Sequence, residues 1–420
     1  MLWLNSPSIP YVASATWGKS WVRQKLFWLC LCWVPWVLLM GCGQPGDRPE
    51  LRVVISTLAT SGSGHDVVRG AQLALDEAGG KAGGHPIALE IYDTLELTAE
   101  QPLSVRLEKA IAEQAVADPQ VIAYLGPMAS HQAKVSMPIL NRASLPQVSS
   151  TTTWPGLTRA GFGPGEPGIY FPTGKRHFFR VATPDDVQAA AAARWAKELG
   201  YQSIYLLHNS LPYGQGLSGI FEETLRDLGL DIVGHSKLEV ASTDREWIIS
   251  LPQKIAETSP DLVFYAGGSE QGAVNLLRNI RRQNPEISIL GTEGIQRNEF
   301  IERLGREHAE GILATNVALP IDQAQTETAR MFRGRYQERY GEAPQPLAAS
   351  TYEAMKAILW AIDTAPEPSR EEVLAALHSM QEVPGLLGPW HFDERGDTSL
   401  QAVAGYRVEE GRWVFQKLLR

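Results

Sequence analysis

The chain has 420 residues, 44% hydrophobic and 20% charged, with a formal net charge of −9 and a pI of about 5.6. That length is enough for roughly two or three domains with sizeable cores, because the buried fraction rises with chain size. The acidic balance argues against nucleic acid as the main partner, since phosphate binding needs a basic surface. Cys30, Cys32 and Cys42 are the only cysteines, so everything after Cys42 must fold without a disulfide or a thiol metal site.

In chain order, Lys19, Arg23 and Lys25 precede an apolar run from Leu26 to Met40. A basic stretch before a short apolar one is the grammar of an export signal, and the run falls short of the ~20 residues that span a bilayer as a helix. It ends in Leu39-Met40-Gly41-Cys42, which resembles the bacterial lipobox, with methionine at −2 as a departure. There the peptidase needs a small residue and the lipid needs a thiol. Residues 1–41 are therefore expected to be a lipoprotein signal peptide, Cys42 the lipidated first residue of the mature chain, and 42–50 a Gly/Pro-rich tether.

Beyond the tether, short apolar runs alternate with amphipathic segments. The pattern predicts strands at Leu51–Leu58, Ile87–Tyr92, Val121–Leu125 and Gln147–Ser150, with helices at Asp66–Ala78, Leu103–Ala117 and His131–Asn141 between them. A Gly/Pro-rich insert, Gly161–Gly174, follows. The alternation then resumes. Strands are expected at Phe178–Val181, Ser203–Leu207, Leu262–Tyr265 and Ile287–Leu290, and helices at Asp185–Leu199, Leu217–Leu228, Glu246–Glu257 and Ala273–Arg281. Helices around Glu327–Tyr340, Ala349–Asp363 and Arg370–Met380 lead to β-structure at Pro389–Phe392 and Ala402–Phe415. Two runs of βα alternation imply an α/β fold of two Rossmann-like lobes with parallel sheets, and ligands in such folds sit beyond the carboxyl ends of the strands.

The loops in that position are rich in glycine and hydroxyls: Ala59–His65, Gly126–His131, Ser149–Trp154, Pro212–Gly216 and Gly291–Gly294. Hydroxyls and free amides at helix starts suit an anion, and a carboxylate on another loop suits a cation. Together they describe a site for a zwitterion.

Several segments, in order and spacing, resemble the type I periplasmic binding proteins, in the leucine/isoleucine/valine-binding branch. They are VVISTLATSGSG with VRGAQLALDEA, YLGPMASHQA, LPQVSSTTTWPGLT, RHFFRVATPDD, LPYGQG, DLVFYAGGSEQGAVNLLRNIR, LGTEGI and LGPWHFDERGD. The resemblance implies a hinge of three crossings, a first lobe of 51–178 plus 318–388, and a second of 179–317 plus 389–420. It implies that Ser130 and Thr153 bind a ligand carboxylate, that Thr151 or Thr152 offers a carbonyl to the ammonium, that Tyr213 closes over the ligand, and that Glu293 pairs with the ammonium. Ser269 stands where the family has a tyrosine, His65 lies in a first loop that lacks the usual aromatic, Trp154 replaces an asparagine, and the insert is expected at the cleft mouth. These departures leave α-amino acid recognition in place and put aliphatic specificity in doubt.

The implied function is delivery of an amino acid, branched-chain or other neutral, to an ABC importer whose permease and ATPase are separate chains. An amide, a urea-like solute, a short peptide, or a role as a sensing lobe are the alternatives. Gly62-Ser63-Gly64 lacks the spacing of a nucleophile elbow and does not continue as a dinucleotide-binding turn. HExxH and Walker-type GK[ST] motifs are missing, so neither catalysis, a metal nor a cofactor is expected.

Overall fold

The computed structural model describes residues 48–94, 102–238, 245–318 and 320–419. The expected signal peptide, Cys42 and most of the tether lie outside the described residues. Among the described residues no helix is long and apolar enough to cross a membrane.

The first lobe begins with β1 (Leu51–Thr57), α1 (Gly62–Glu77), β2 (Lys81–Ala82), β3 (His85–Asp93), α2 (Pro102–Ala117), β4 (Val121–Leu125), α3 (Ser130–Arg142), β5 (Gln147–Ser149) and β6 (Phe178–Arg180). The second contains α4 (Asp185–Glu198), β7 (Ser203–Asn209), α5 (Pro212–Leu228), β8 (Asp231–Leu238), α6 (Arg245–Glu257), β9 (Leu262–Ala266), α7 (Gln271–Gln283), β10 (Ser288–Gly291), α8 (Asn298–Leu304), α9 (Arg306–Ala309) and β11 (Leu313–Asn316). The chain returns to the first lobe for α10 (Glu327–Tyr340), α11 (Pro346–Thr364), α12 (Arg370–His378), β12 (Val383–Gly385) and β13 (Gly388–Trp390). It ends in the second lobe with β14 (Val403–Glu409) and β15 (Arg412–Leu419).

The first sheet runs β2-β3-β1-β4-β5-β6 and the second β15-β14-β11-β10-β9-β7-β8. Their central strands are parallel, with antiparallel edges at β2 in one and at β14 and β15 in the other. β4 and β9 are buried along their whole length, as expected of strands covered on both faces. The pleat divides β1 accordingly. Val53 and Ile55 enter a core with α1, α11 and α12, and Val54 enters one with α2. In the second sheet, Tyr205, Val263 and Ile289 face α6 and α7, whereas Ile204, Leu206 and Phe264 face α4 and α5.

Two expected lobe boundaries move. Phe178–Arg180 pairs with β5, so the first lobe keeps this strand and the cut at 178/179 falls inside it. Trp390 and Phe392 are packed in the first-lobe core, and the Trp390 indole donates to the buried Glu353 carboxylate at 2.9 Å. The residues from 389 to 392 therefore stay with the first lobe. Neither strand differs in residue type from one that would pair the other way, and pairing partners decide the matter. β8 and β11 were not expected. β8 is a half-buried edge strand with weak apolar alternation, and β11 is only four residues long.

Three crossings join the lobes, after β6, after β11, and between Thr398 and Val403. The Thr183 hydroxyl on the first lies 3.0 Å from the Ala402 carbonyl on the third. Beside them is a buried ionic cluster. Arg180 donates to Asp397 at 2.7 Å, to the Thr158 hydroxyl at 2.6 Å and to the Trp154 carbonyl at 2.7 Å. Arg159 bridges Asp397 at 2.9 Å and Asp186 at 2.5 Å. One cluster thus connects the loop after β5, the hinge and the first turn of α4.

Candidate ligand cleft

On the first lobe, the loops after β4 and β5 are tied into one surface. The Ser149 hydroxyl donates to the Pro127 carbonyl at 3.1 Å and accepts the amides of Thr151 and Thr152 at 3.3 and 3.1 Å. The Thr151 hydroxyl reaches the same Pro127 carbonyl at 3.3 Å. The Ser130 hydroxyl oxygen accepts the amides of Thr153 and Trp154 at 3.3 and 3.1 Å. Ser130 is therefore not the cap of α3. Ala129 holds that place, with its amide donating to Gln132 at 3.2 Å. With two amides on its oxygen, Ser130 has its own proton left to donate elsewhere, next to its own amide and that of His131 at the start of α3; the Gln132 amide is already taken by the Ala129 carbonyl at 3.1 Å. The Thr152 hydroxyl is buried without a partner.

On the second lobe, Pro212–Gly216 is the first turn of α5 rather than a loop, and Gly62–His65 likewise opens α1. The Tyr213 hydroxyl lies 2.6 Å from one Glu293 oxygen and 2.7 Å from the Thr292 hydroxyl. The other Glu293 oxygen takes the Gln188 amide at 2.5 Å. Asp185, the first residue of α4, is 0% exposed, and both its carboxyl oxygens lack a hydrogen-bond partner. Its own amide donates across to the Thr153 carbonyl at 2.9 Å. Burial pushes the Asp185 carboxyl well above the usual range, Glu293 adds to the rise, and Thr153 and Arg180 oppose it. Burial also raises Glu293, against the bonds from Tyr213 and Gln188 and the Arg297 charge. Two carboxyls and a phenol thus lie close together, with the Arg180 charge felt at Asp185 and the Arg297 charge at Glu293. A compact cation with several N–H donors suits such a group.

Asp185 links Thr153, which is bonded to Ser130, to Glu293, which is bonded to Tyr213, touching the first through its amide and the second through its charge, while Thr151 is bonded to Ser149 and Pro127. Sequence reading passed over Asp185 because an acid at a helix start ordinarily serves the helix dipole. Its signal was the second acid, Asp186, which makes that solvent-side role redundant. Ser269 lies on the loop after β9, half-buried, with its carbonyl held by Arg303 at 2.6 Å. His65 is exposed in the first turn of α1. Neither makes a hydrogen bond to the cluster. Trp154, in contrast, stands against α5, and the insert packs on it and on α3. Among the described residues no three His, Cys, Asp or Glu side chains come together as a metal site.

Two parallel-sheet lobes on a three-strand hinge, with hydroxyls facing carboxyls beyond their strand ends, define a two-lobed solute-binding protein. A family model described as "Periplasmic binding protein" matches residues 55–412, and the chain belongs to that family, type I, in the branch of the Leu/Ile/Val-binding proteins. The Leu/Ile/Val-binding protein BraC3 of Rhizobium johnstonii is 25% identical over 355 residues, covering 84% of this chain and 89% of that one. The leucine-, isoleucine-, valine-, threonine-, and alanine-binding protein of Pseudomonas aeruginosa is 26% identical, covering 53% of this chain and 58% of that one. Among solved structures, the leucine binding protein LivK of Thermotoga maritima superposes with a TM-score of 0.76 at 24% identity, covering 88% of this chain and 99% of that one. An R. palustris solute binding protein in complex with benzoate has the same fold, with a TM-score of 0.71 at 16% identity over 88% of this chain and 96% of that one.

Proposed function

We propose that this protein is an exported binding lipoprotein that captures an α-amino acid between its lobes and presents it, closed, to the permease of an ABC importer whose ATPase is a separate chain. The observation that carries the reading is the pair of acids Asp185, fully buried, and Glu293, half-buried, joined through the Thr153 backbone to the Ser130 hydroxyl. A zwitterion fits both ends: its ammonium meets the carboxyls and Tyr213, and its carboxylate meets Ser130 and Thr153. The names of the relatives, which bind leucine, isoleucine, valine, threonine or alanine, support the same class. Benzoate carries no cation, so it offers neither acid a counter-charge. The reading is of capture and release without turnover.

A thermal-shift screen of the soluble chain from Gly43 onward tests this against amino acids, short amides, urea, dipeptides and benzoate. An α-amino acid at 100 times its Kd stabilises the folded state by about 2.7 kcal/mol, a clear rise in Tm. A shift with an amide or benzoate and none with any amino acid removes the zwitterion site. The anchor has its own test. Cys42→Ser is expected to move the protein from the membrane to the soluble fraction, because a lone residual hydrophobic segment is cleaved or too short to hold it. Unchanged membrane fractionation of the variant refutes lipid anchoring through Cys42.

A further inference from the structure

We infer that the insert Gly161–Gly174 braces the Trp154 indole as the seat on which the second lobe closes, so that an aromatic-on-glycine contact between Trp154 and Gly216 sets the closed position. This rests on the cleft reading above but not on the identity of the ligand.

Trp154 directly follows Thr153 and is held from several sides. Its indole nitrogen donates to Glu166 at 2.9 Å. The same carboxylate takes the Lys134 ammonium at 2.9 Å and the Tyr170 hydroxyl at 2.6 Å, with its side chain only 6% exposed. The Lys134 ammonium lies 4.7 Å from the indole centroid, and Phe162 meets the ring edge-on at 6.0 Å. Gly156 and Gly163 leave room for the Glu166 carboxylate, since a Cβ at either would collide with it. Behind this, Leu157, Tyr170 and Phe171 pack with Met137 of α3 and Phe178 of β6. A ring hydrogen-bonded at its nitrogen, covered by a cation and edged by an aromatic has no free rotamer to escape into.

The opposing surface is the backbone of α5 at Gly216, one turn beyond Tyr213. A Cβ added there would lie inside the indole, at its Cζ3 and Cε3 atoms. A helix that lacks a side chain at the point of contact can come down on the ring, and any larger residue must stop short of it. Because Tyr213 and Gly216 belong to the same turn, the seat also sets how deeply the Tyr213 hydroxyl enters the cleft. The brace explains the insert: without Glu166, the indole could swing away and the stop would be lost.

Cross-cleft trapping tests this without any ligand. In the full chain with Cys30, Cys32 and Cys42 changed to serine, cysteines placed at Ser63 and Arg297, which hydrogen-bond to each other across the cleft, are joined by a short bismaleimide. The rate of joining reports the closed population even when it is minor. The parent is expected to cross-link. Gly216→Val is expected to slow it by about tenfold or more, and Trp154→Ala in the same chain to restore it to within about threefold, because removing the ring makes room for the valine. Glu166→Ala combined with Gly216→Val is expected to cross-link faster than Gly216→Val alone, since an unbraced indole yields. No cross-link in the parent, an unchanged rate in Gly216→Val, or no rescue by Trp154→Ala overturns the inference. Failure of amino acids to bind leaves it standing and bears only on the proposed ligand.

Discussion

Glu293→Gln is expected to weaken amino acid binding by about 1.5–3 kcal/mol, roughly 10- to 150-fold in Kd, the worth of a hydrogen bond to a charged group. Asp185→Asn is expected to weaken it at least as much, because Asp185 is the more deeply buried acid and has no other partner. The two losses should not add, since both acids address one ammonium. Titration calorimetry checks this, and an unchanged Kd in either variant would remove that residue from the site. The ligand-free proteins should behave the opposite way. A buried carboxyl without a partner is costly, so Asp185→Asn is expected to raise the Tm of the empty protein while it impairs binding.

The pH dependence follows in sign. Both folded-state pKa values lie above the unfolded ones, so the native state binds protons more tightly, and this pair lowers the stability of the empty protein as pH rises through the ordinary carboxyl range and beyond. Binding of an ammonium needs the charged acids and should strengthen over the same interval. An affinity that rises on acidification would contradict the assignment.

Asp397→Ala is expected to destabilise the protein by about 3–5 kcal/mol, because it leaves the fully buried Arg180 guanidinium without its counter-charge. Burial alone would raise the Asp397 pKa, and the charges of Arg180 and Arg159, with the Thr158 bond, hold it below the usual carboxylate range. With a depressed folded pKa, its contribution is complete above about pH 4 and is lost as pH falls further. Urea unfolding at neutral pH and near pH 3 should therefore show a large difference between parent and variant in the first case and a smaller one in the second. A loss below about 1 kcal/mol at neutral pH would show that the cluster is not stabilising the hinge. The same variant should impair closure, since Arg159 links Asp397 to Asp186, next to the buried Asp185.

Much of the architecture was legible in the chain. Apolar runs such as Val121–Leu125 read as buried strands because a strand covered on both faces needs no polar alternation. The periodic segments between them read as helices, and Glu327–Tyr340 has the expected bounds. The loop hydroxyls and Glu293 were visible because small hydroxyl residues after strands have few other uses. The starts of α1 and α5 were misplaced because the glycines in Gly62–Gly64 and Gly214–Gly216 read as loop. Glycine stands at these helical positions because close approach, to the Leu58 carbonyl at Gly64 and to Trp154 at Gly216, excludes a side chain.

By itself the sequence determined local and periodic properties: an α/β chain of two alternating halves, cysteine-free after residue 42, with a hydroxyl-rich set of post-strand loops and one acid suited to an ammonium. Only the tertiary structure decided which sheet Phe178–Arg180 and Trp390 belong to, that Asp185 is buried beside Glu293, that Asp397 balances Arg180, and that the insert holds Trp154 against Gly216. The reason is the same in each case. Most of these contacts join residues far apart in the chain, 217 positions in the Arg180–Asp397 bond. Burial and the absence of a competing partner give them their energy, and neither property belongs to any residue before the chain has folded around it.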